Sequence, residues 1–181
     1  MNVFCIAILL ALSPAEGTLL PTAGTEQVKH RITGLFGRER EDDLREVVKK
    51  MTGVTLVSID FDNAEAVFEY DPAKLFKDSK PKDYLERFDN LLRNSSTHTF
   101  GARPLCTTPK EKLTRVEIPV AGNDCKGCCL AAYESVSKID GVEQATASFK
   151  EGKVTALIDP AKTTRAALEE ALKKRNVTVT R

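Results

Sequence analysis

The feature that most constrains the fold is an internal repeat at a constant offset of 88 residues. Gly122 follows Gly34 at that distance, Gly141-Val142 follows Gly53-Val54, and Phe149 follows Phe61. The tetrapeptide Asp71-Pro72-Ala73-Lys74 returns unchanged as Asp159-Pro160-Ala161-Lys162. A fixed offset over about half of each copy, ending in an identical tetrapeptide, means that one supersecondary unit is built twice. The 181 residues therefore divide into two small units rather than one large core.

Each copy reads in the same order. Val28, His30 and Ile32 alternate with polar residues, as do Val116, Ile118 and Val120. This is the period-2 pattern of a strand. Leu44, Val47, Val48 and Met51 recur at helical spacing, and Gly53 closes that helix. Residues 56–61 and 66–70 read as two strands about an Asp62-Asn63 turn. A second helix is expected over 81–92 and a last strand over 97–100. In the second copy the final helix is expected over 164–174 and the last strand over 177–179. The order strand, helix, strand, strand, helix, strand is the ferredoxin-like βαββαβ arrangement. The fold class is thus α+β, with two tandem four-stranded antiparallel sheets, each carrying two helices on one face. Pro119 falls in the first strand of the second copy. Its missing N–H is expected near the strand end, facing no partner.

The expected organisation is a signal peptide over 1–15, a linker over 16–26, a first unit over 27–103, a linker over 104–113 and a second unit over 114–181. Residues 1–12 are apolar except Asn2, and Ser13-Pro14-Ala15 supplies small residues before a cut. This predicts a cleaved secretory signal and a secreted or periplasmic protein. The run is too short to span a bilayer, which needs about 20 apolar residues, so no spanning segment is expected once it is removed. The formal net charge of +1 gives no footprint for nucleic acid. No nucleotide-binding glycine loop, Ser-His-Asp set or paired carboxylate cleft is visible, and no enzyme active site can be assembled.

Three of the five cysteines fall in one short stretch, Cys125-Lys126-Gly127-Cys128-Cys129. The offset maps Cys125, Cys128 and Cys129 onto Gly37, Arg40 and Glu41, so the scaffold stands in the first copy without a thiol. The thiols are an addition to one copy, which points to function. Cys-x-x-Cys entering a helix puts two sulfurs near unpaired N–H groups and partial positive charge, and both favour the thiolate that binds metal. Two thiolates suit a soft ion such as Cu(I). Cys129, Ala132, Val136 and Ile139 form one buried helix stripe, which makes Cys129 a packing residue before a third ligand. Cys106 lies in the linker and reads as a surface thiol or disulfide partner. The charged run over 38–43, at the position of the missing metal loop, reads as a solvated helical turn. His30 is expected half-buried in the sheet.

Gly-x-x-Cys-x-x-Cys after the first strand of such a unit resembles the heavy-metal-associated domain family. That family includes copper chaperones, the N-terminal modules of metal-transporting ATPases and the periplasmic mercuric-ion binding protein. The resemblance covers the second unit directly and the first through the repeat. It implies that Cys125 and Cys128 are the metal ligands. It implies as partner a metal-transporting membrane protein or another metal-binding domain. The family usually carries Gly-Met-Thr-Cys-x-x-Cys. Here Gly122-Asn123-Asp124 precedes Cys125, and an Asp at that place resembles modules of zinc-, cadmium- and lead-exporting ATPases. Asp124 is thus a conditional further ligand. The expected cargo is Cu(I), with Zn(II), Cd(II), Pb(II) and Hg(II) as alternatives. Two other readings stay open: a protein-interaction module with incidental thiols, and a dithiol–disulfide oxidoreductase.

Overall fold

The structure is a computed structural model that describes residues 24–121, 125–148 and 150–180. Unit 1 runs β1 (Glu26–Thr33), α1 (Arg40–Lys49), β2 (Val54–Asp60), β3 (Glu65–Tyr70), α2 (Pro72–Leu75), α3 (Tyr84–Ser95) and β4 (Gly101–Arg103). Unit 2 runs β5 (Thr114–Ala121), α4 (Lys126–Ser137), β6 (Val142–Ser148), β7 (Lys153–Ile158), α5 (Arg165–Lys174) and β8 (Thr178–Val179). The strand orders are β2-β3-β1-β4 and β6-β7-β5-β8, with every pair antiparallel. Two ferredoxin-like units in tandem are what the repeat requires.

Each sheet turns one face inward, because its strands alternate. On β5, Val116, Ile118 and Val120 are buried while Arg115 and Glu117 are exposed. Those three pack with Ala132 and Val136 of α4 and Leu168 and Leu172 of α5. In unit 1 the matching core joins Ile32, Phe68 and Tyr70 to Leu44, Val48, Phe88 and Leu92. At the foot of each β-hairpin the repeated tetrapeptide begins alike. Leu75 N bonds to Asp71 O and Thr163 N to Asp159 O (2.9 and 3.0 Å). Only the first copy continues into a helix, α2, capped by the Asp71 carboxylate.

Several boundaries differ from the sequence reading. Pro81–Asp83 is a 3₁₀ turn, and the helix proper starts at Tyr84. The last strand of unit 1 is not residues 97–100. Thr97 and His98 take positive φ (52° and 60°), and Phe100 N is held by Ser96 Oγ (3.0 Å), so the chain turns there and enters β4 only at Gly101. His30 is buried rather than half-buried, at 6% exposure. Its ring stacks on Phe88 (centroids 4.7 Å apart) and its Nε2 lies 3.1 Å from Tyr70 Oη. Pro119 O accepts from Thr180 N (2.9 Å), while the next residue, Val120, donates to Gly152 O on the β7 side (2.8 Å). Neighbouring residues of a strand point to opposite sides, so the donor that Pro119 lacks falls toward the two-residue strand β8.

Candidate metal centre

Cys125 caps α4. Its extended backbone (φ −135°, ψ 155°) directs Sγ back over the first turn, where it accepts from Cys128 N (3.0 Å). Cys128 follows one turn into the helix, with its Cα 5.1 Å from that of Cys125. The two sulfurs are joined as a disulfide. Cys125, Lys126 and Gly127 are exposed and Cys128 is partly so, which places the pair at the surface. A helix N-terminus is where an anionic thiolate is best stabilised.

Cys129 faces the other way. It is 2% exposed and packs with Ala132 and Val136, on the stripe its spacing predicts. Asp124 lies outside the described residues. Among the described residues, no cluster of three or more His, Cys, Asp or Glu side chains is placed to hold a metal ion. Cys106 is partly buried, outside the disulfide, with Sγ 3.3 Å from Thr108 O. Burial is the first cause raising its thiol above the ordinary range.

The loop at the same place in unit 1 shows what replaces the thiols. Arg40, which stands where Cys128 does, holds its guanidinium 5.1 Å from the centres of both the Phe36 and Phe100 rings. Arg38 lies over Phe61 at 4.7 Å and bonds Asp62 (2.8 Å). The run over 38–43 is therefore more than a solvated turn. Its arginines are attracted to aromatic faces that the sequence does not place beside them. The loop is also committed elsewhere. Phe36 belongs to the core of unit 2, its ring centre 5.8 Å from that of Tyr133, and its carbonyl accepts from Ala147 N (3.0 Å). Gly34 N donates to Tyr133 Oη (2.7 Å), Gln144 Nε2 donates to Phe61 O (2.7 Å), and Arg31 pairs with Glu143. A cleft of about 470 Å³ separates this loop from the start of α4, with Phe36 and Glu39 on one wall and Lys126 and Cys129 on the other. Sequence reasoning missed this contact. Its one trace was Tyr133, an aromatic residue beside the apolar stripe of its helix rather than on it.

No family model matches the chain. Over 160 residues it is 27% identical to Copper-transporting ATPase 2 of Homo sapiens, covering 77% of this chain and 11% of that protein. The chain thus spans about a ninth of the length of that relative. Similar solved structures include the CopZ metallochaperone (24% identity, 37% of this chain and 100% of that one, TM-score 0.36). They also include the N-terminal soluble domains of Bacillus subtilis CopA (18% identity, 86% of this chain and 92% of that one, TM-score 0.36). The chain is thus two tandem ferredoxin-like βαββαβ units, with the Cys-x-x-Cys motif at the first helix of the second alone, and is similar in sequence over 77% of its length to part of a copper-transporting ATPase.

Proposed function

We propose that this is an exported protein that binds a soft metal ion at Cys125 and Cys128 and sequesters it or passes it to a partner. The observation that carries the reading is the pair of sulfurs brought together at an exposed helix N-terminus, in the one unit that has thiols. Two thiolates suit Cu(I) first, and Zn(II), Cd(II), Pb(II) or Hg(II) with a further donor such as Asp124. The ion is cargo. It leaves by stepwise substitution, in which a thiolate of the partner binds before Cys125 or Cys128 lets go, and surface exposure makes that attack geometrically open. The partner is a metal-transporting membrane protein or another metal-binding domain. Export rests on the apolar segment over 1–12. Among the described residues no helix is long and apolar enough to cross a membrane.

The test is titration of the reduced full chain with Cu(I), Zn(II) and Hg(II) beside Cys125→Ser/Cys128→Ser. The expected result is one tight equivalent in the reduced protein and loss of at least about a hundredfold in affinity in the double variant, because no ligand pair remains. The oxidised protein binds none, since a disulfide offers no thiolate. Equal uptake by the double variant would refute the reading. Asp124→Ala is expected to weaken divalent ions and spare Cu(I). Turnover of a disulfide substrate without metal uptake would favour the oxidoreductase reading, which the closed Cys125–Cys128 bond keeps in view.

A further inference from the structure

The sequence carries Asn-x-Ser/Thr, with x other than proline, at Asn94-Ser95-Ser96 and at Asn176-Val177-Thr178. In an exported chain this is the acceptor pattern for an N-linked oligosaccharide when it lies on a surface turn. The fold treats the two places differently. Asn94 is exposed but lies inside α3, and Ser96 is buried at 7% exposure. The Ser96 hydroxyl is engaged within the fold, since Phe100 N donates to its Oγ (3.0 Å). A transferase must hold the Asn in a turn and bind the hydroxyl two residues on. The end of α3 offers neither.

Asn176 stands otherwise. It follows α5 and takes φ 59°, a left-handed conformation that asparagine accepts more readily than most residues. Its N–H donates to Lys173 O (2.9 Å) and that of Val177 to Leu172 O (3.0 Å), so the backbone turns sharply off the helix end. Val177 packs against the core of unit 2, while Asn176 and Thr178 on either side of it are exposed. The carboxamide and the hydroxyl of the motif are therefore both on an exposed turn. Two further features support passage through a compartment where such a transfer occurs. They are the apolar segment over 1–12 and the Cys125–Cys128 disulfide, a bond that persists under oxidising conditions.

We propose that Asn176 is an N-glycosylation site and Asn94 is not. The inference rests on the export proposed above. In the transfer, Nδ2 of Asn176 attacks C1 of an oligosaccharide carried on a polyprenyl diphosphate. The Nδ2–C1 bond forms and the C1–O bond to the diphosphate breaks. The lipid diphosphate leaves with that electron pair, and one Nδ2 proton passes to a base of the transferase. The sugar stands beside β8, a strand of two residues at the edge of its sheet, and its bulk blunts that edge. Thr178 pairs with Ala121, the last residue of β5 before the chain turns toward Cys125. The opposite edge strand, β6, is the one that meets unit 1, where Ala147 N donates to Phe36 O. Glycan and unit 1 thus flank the sheet of unit 2 at its two edges.

Translation of the full chain with eukaryotic microsomes reads import and modification separately. Protease protection reports entry, and a mass shift reversed by an endoglycosidase reports the glycan. The expected result is a protected chain carrying one glycan. Asn176→Gln and Thr178→Val abolish the shift, Thr178→Ser retains it, and Asn94→Gln changes nothing. The transfer is made to the chain as it enters, so these readings do not depend on how stably a variant folds. A protected chain without a glycan overturns the proposal, as does a shift that survives Asn176→Gln. A chain left open to protease counts against export instead, and the site is then read with a heterologous cleavable signal ahead of residue 16. A shift lost in Asn176→Gln upholds the site there, and no shift overturns it. In the protein recovered from the medium of its own cells, enzymatic removal of the glycan converts the carboxamide at that position to a carboxylate. An unconverted Asn176 in that protein overturns the proposal.

Discussion

His30 shows at the residue scale how burial turns into pH dependence. Enclosed by Phe88 and Tyr70, its imidazole is held down at about 4 by burial, below its ordinary 6.5. The unfolded chain therefore takes up a proton that the folded one refuses between pH 6.5 and about 4. Stability from this group is complete above pH 6.5, falls as the pH drops through that window, and is level below it. The full effect is on the order of 3 kcal/mol. Urea denaturation at several pH values is expected to show this slope in the wild type and its loss in His30→Leu. An equal slope in both would assign the pH dependence to carboxylates. The Tyr70 phenol, pushed up to about 12 in the same pocket, stays neutral throughout. His30 could be read as an inward residue from its alternation with Val28 and Ile32. The rings that enclose it come from β3 and α3, and no spacing within β1 names them.

At the scale of elements, the turn between β1 and α1 governs where both units meet. Gly34 takes φ +94°, and a Cβ there would lie 2.2 Å from the Thr99 carbonyl oxygen. Gly34→Ala is expected to destabilise the protein by more than about 3 kcal/mol, because the contact is with backbone and the conformation is left-handed. A chemical-denaturation midpoint checks it. The Gly34 N–H is satisfied by Tyr133 of α4, within the other unit. Tyr133→Phe keeps the ring and removes the acceptor, and the buried N–H left behind costs about 1–3 kcal/mol. A loss below about 0.5 kcal/mol in the same assay would mean that water enters and replaces the phenol. On α4 the spacing of Cys129, Ala132 and Val136 already told the packing sulfur from the exposed pair, because a helix has one buried face.

For the whole molecule, the thiol-free loop of unit 1 is a brace on unit 2. Phe36 contributes to the core of the unit it does not belong to. Phe36→Ala is expected to cost about 3–5 kcal/mol if both units unfold together. Calorimetry should then show one transition in the wild type and two in the variant, as the units come apart. Two transitions in both proteins would show that the contact carries no coupling. On the proposed function the brace also steadies the cysteine pair, since α4 carries Cys128 at one end of the helix and Tyr133 further along it. A lower Cu(I) affinity in Phe36→Ala, with the cysteines intact, is the expected consequence.

Much of the architecture was determined by the sequence alone, for physical reasons that act locally. The period of apolar residues, the recurring glycines and the doubled tetrapeptide define the two βαββαβ units, since strand and helix faces are properties of neighbours in the chain. The same locality marks Cys125 and Cys128 as the surface pair, because an N-cap and a first turn lie within four residues. Only the tertiary structure decided where the charged run of unit 1 goes and that Phe36 crosses into unit 2. Those outcomes depend on contacts between residues about a hundred positions apart, such as Gly34 with Tyr133. A repeat makes two units alike in sequence, but which faces they bury against each other depends on how the folded units pack.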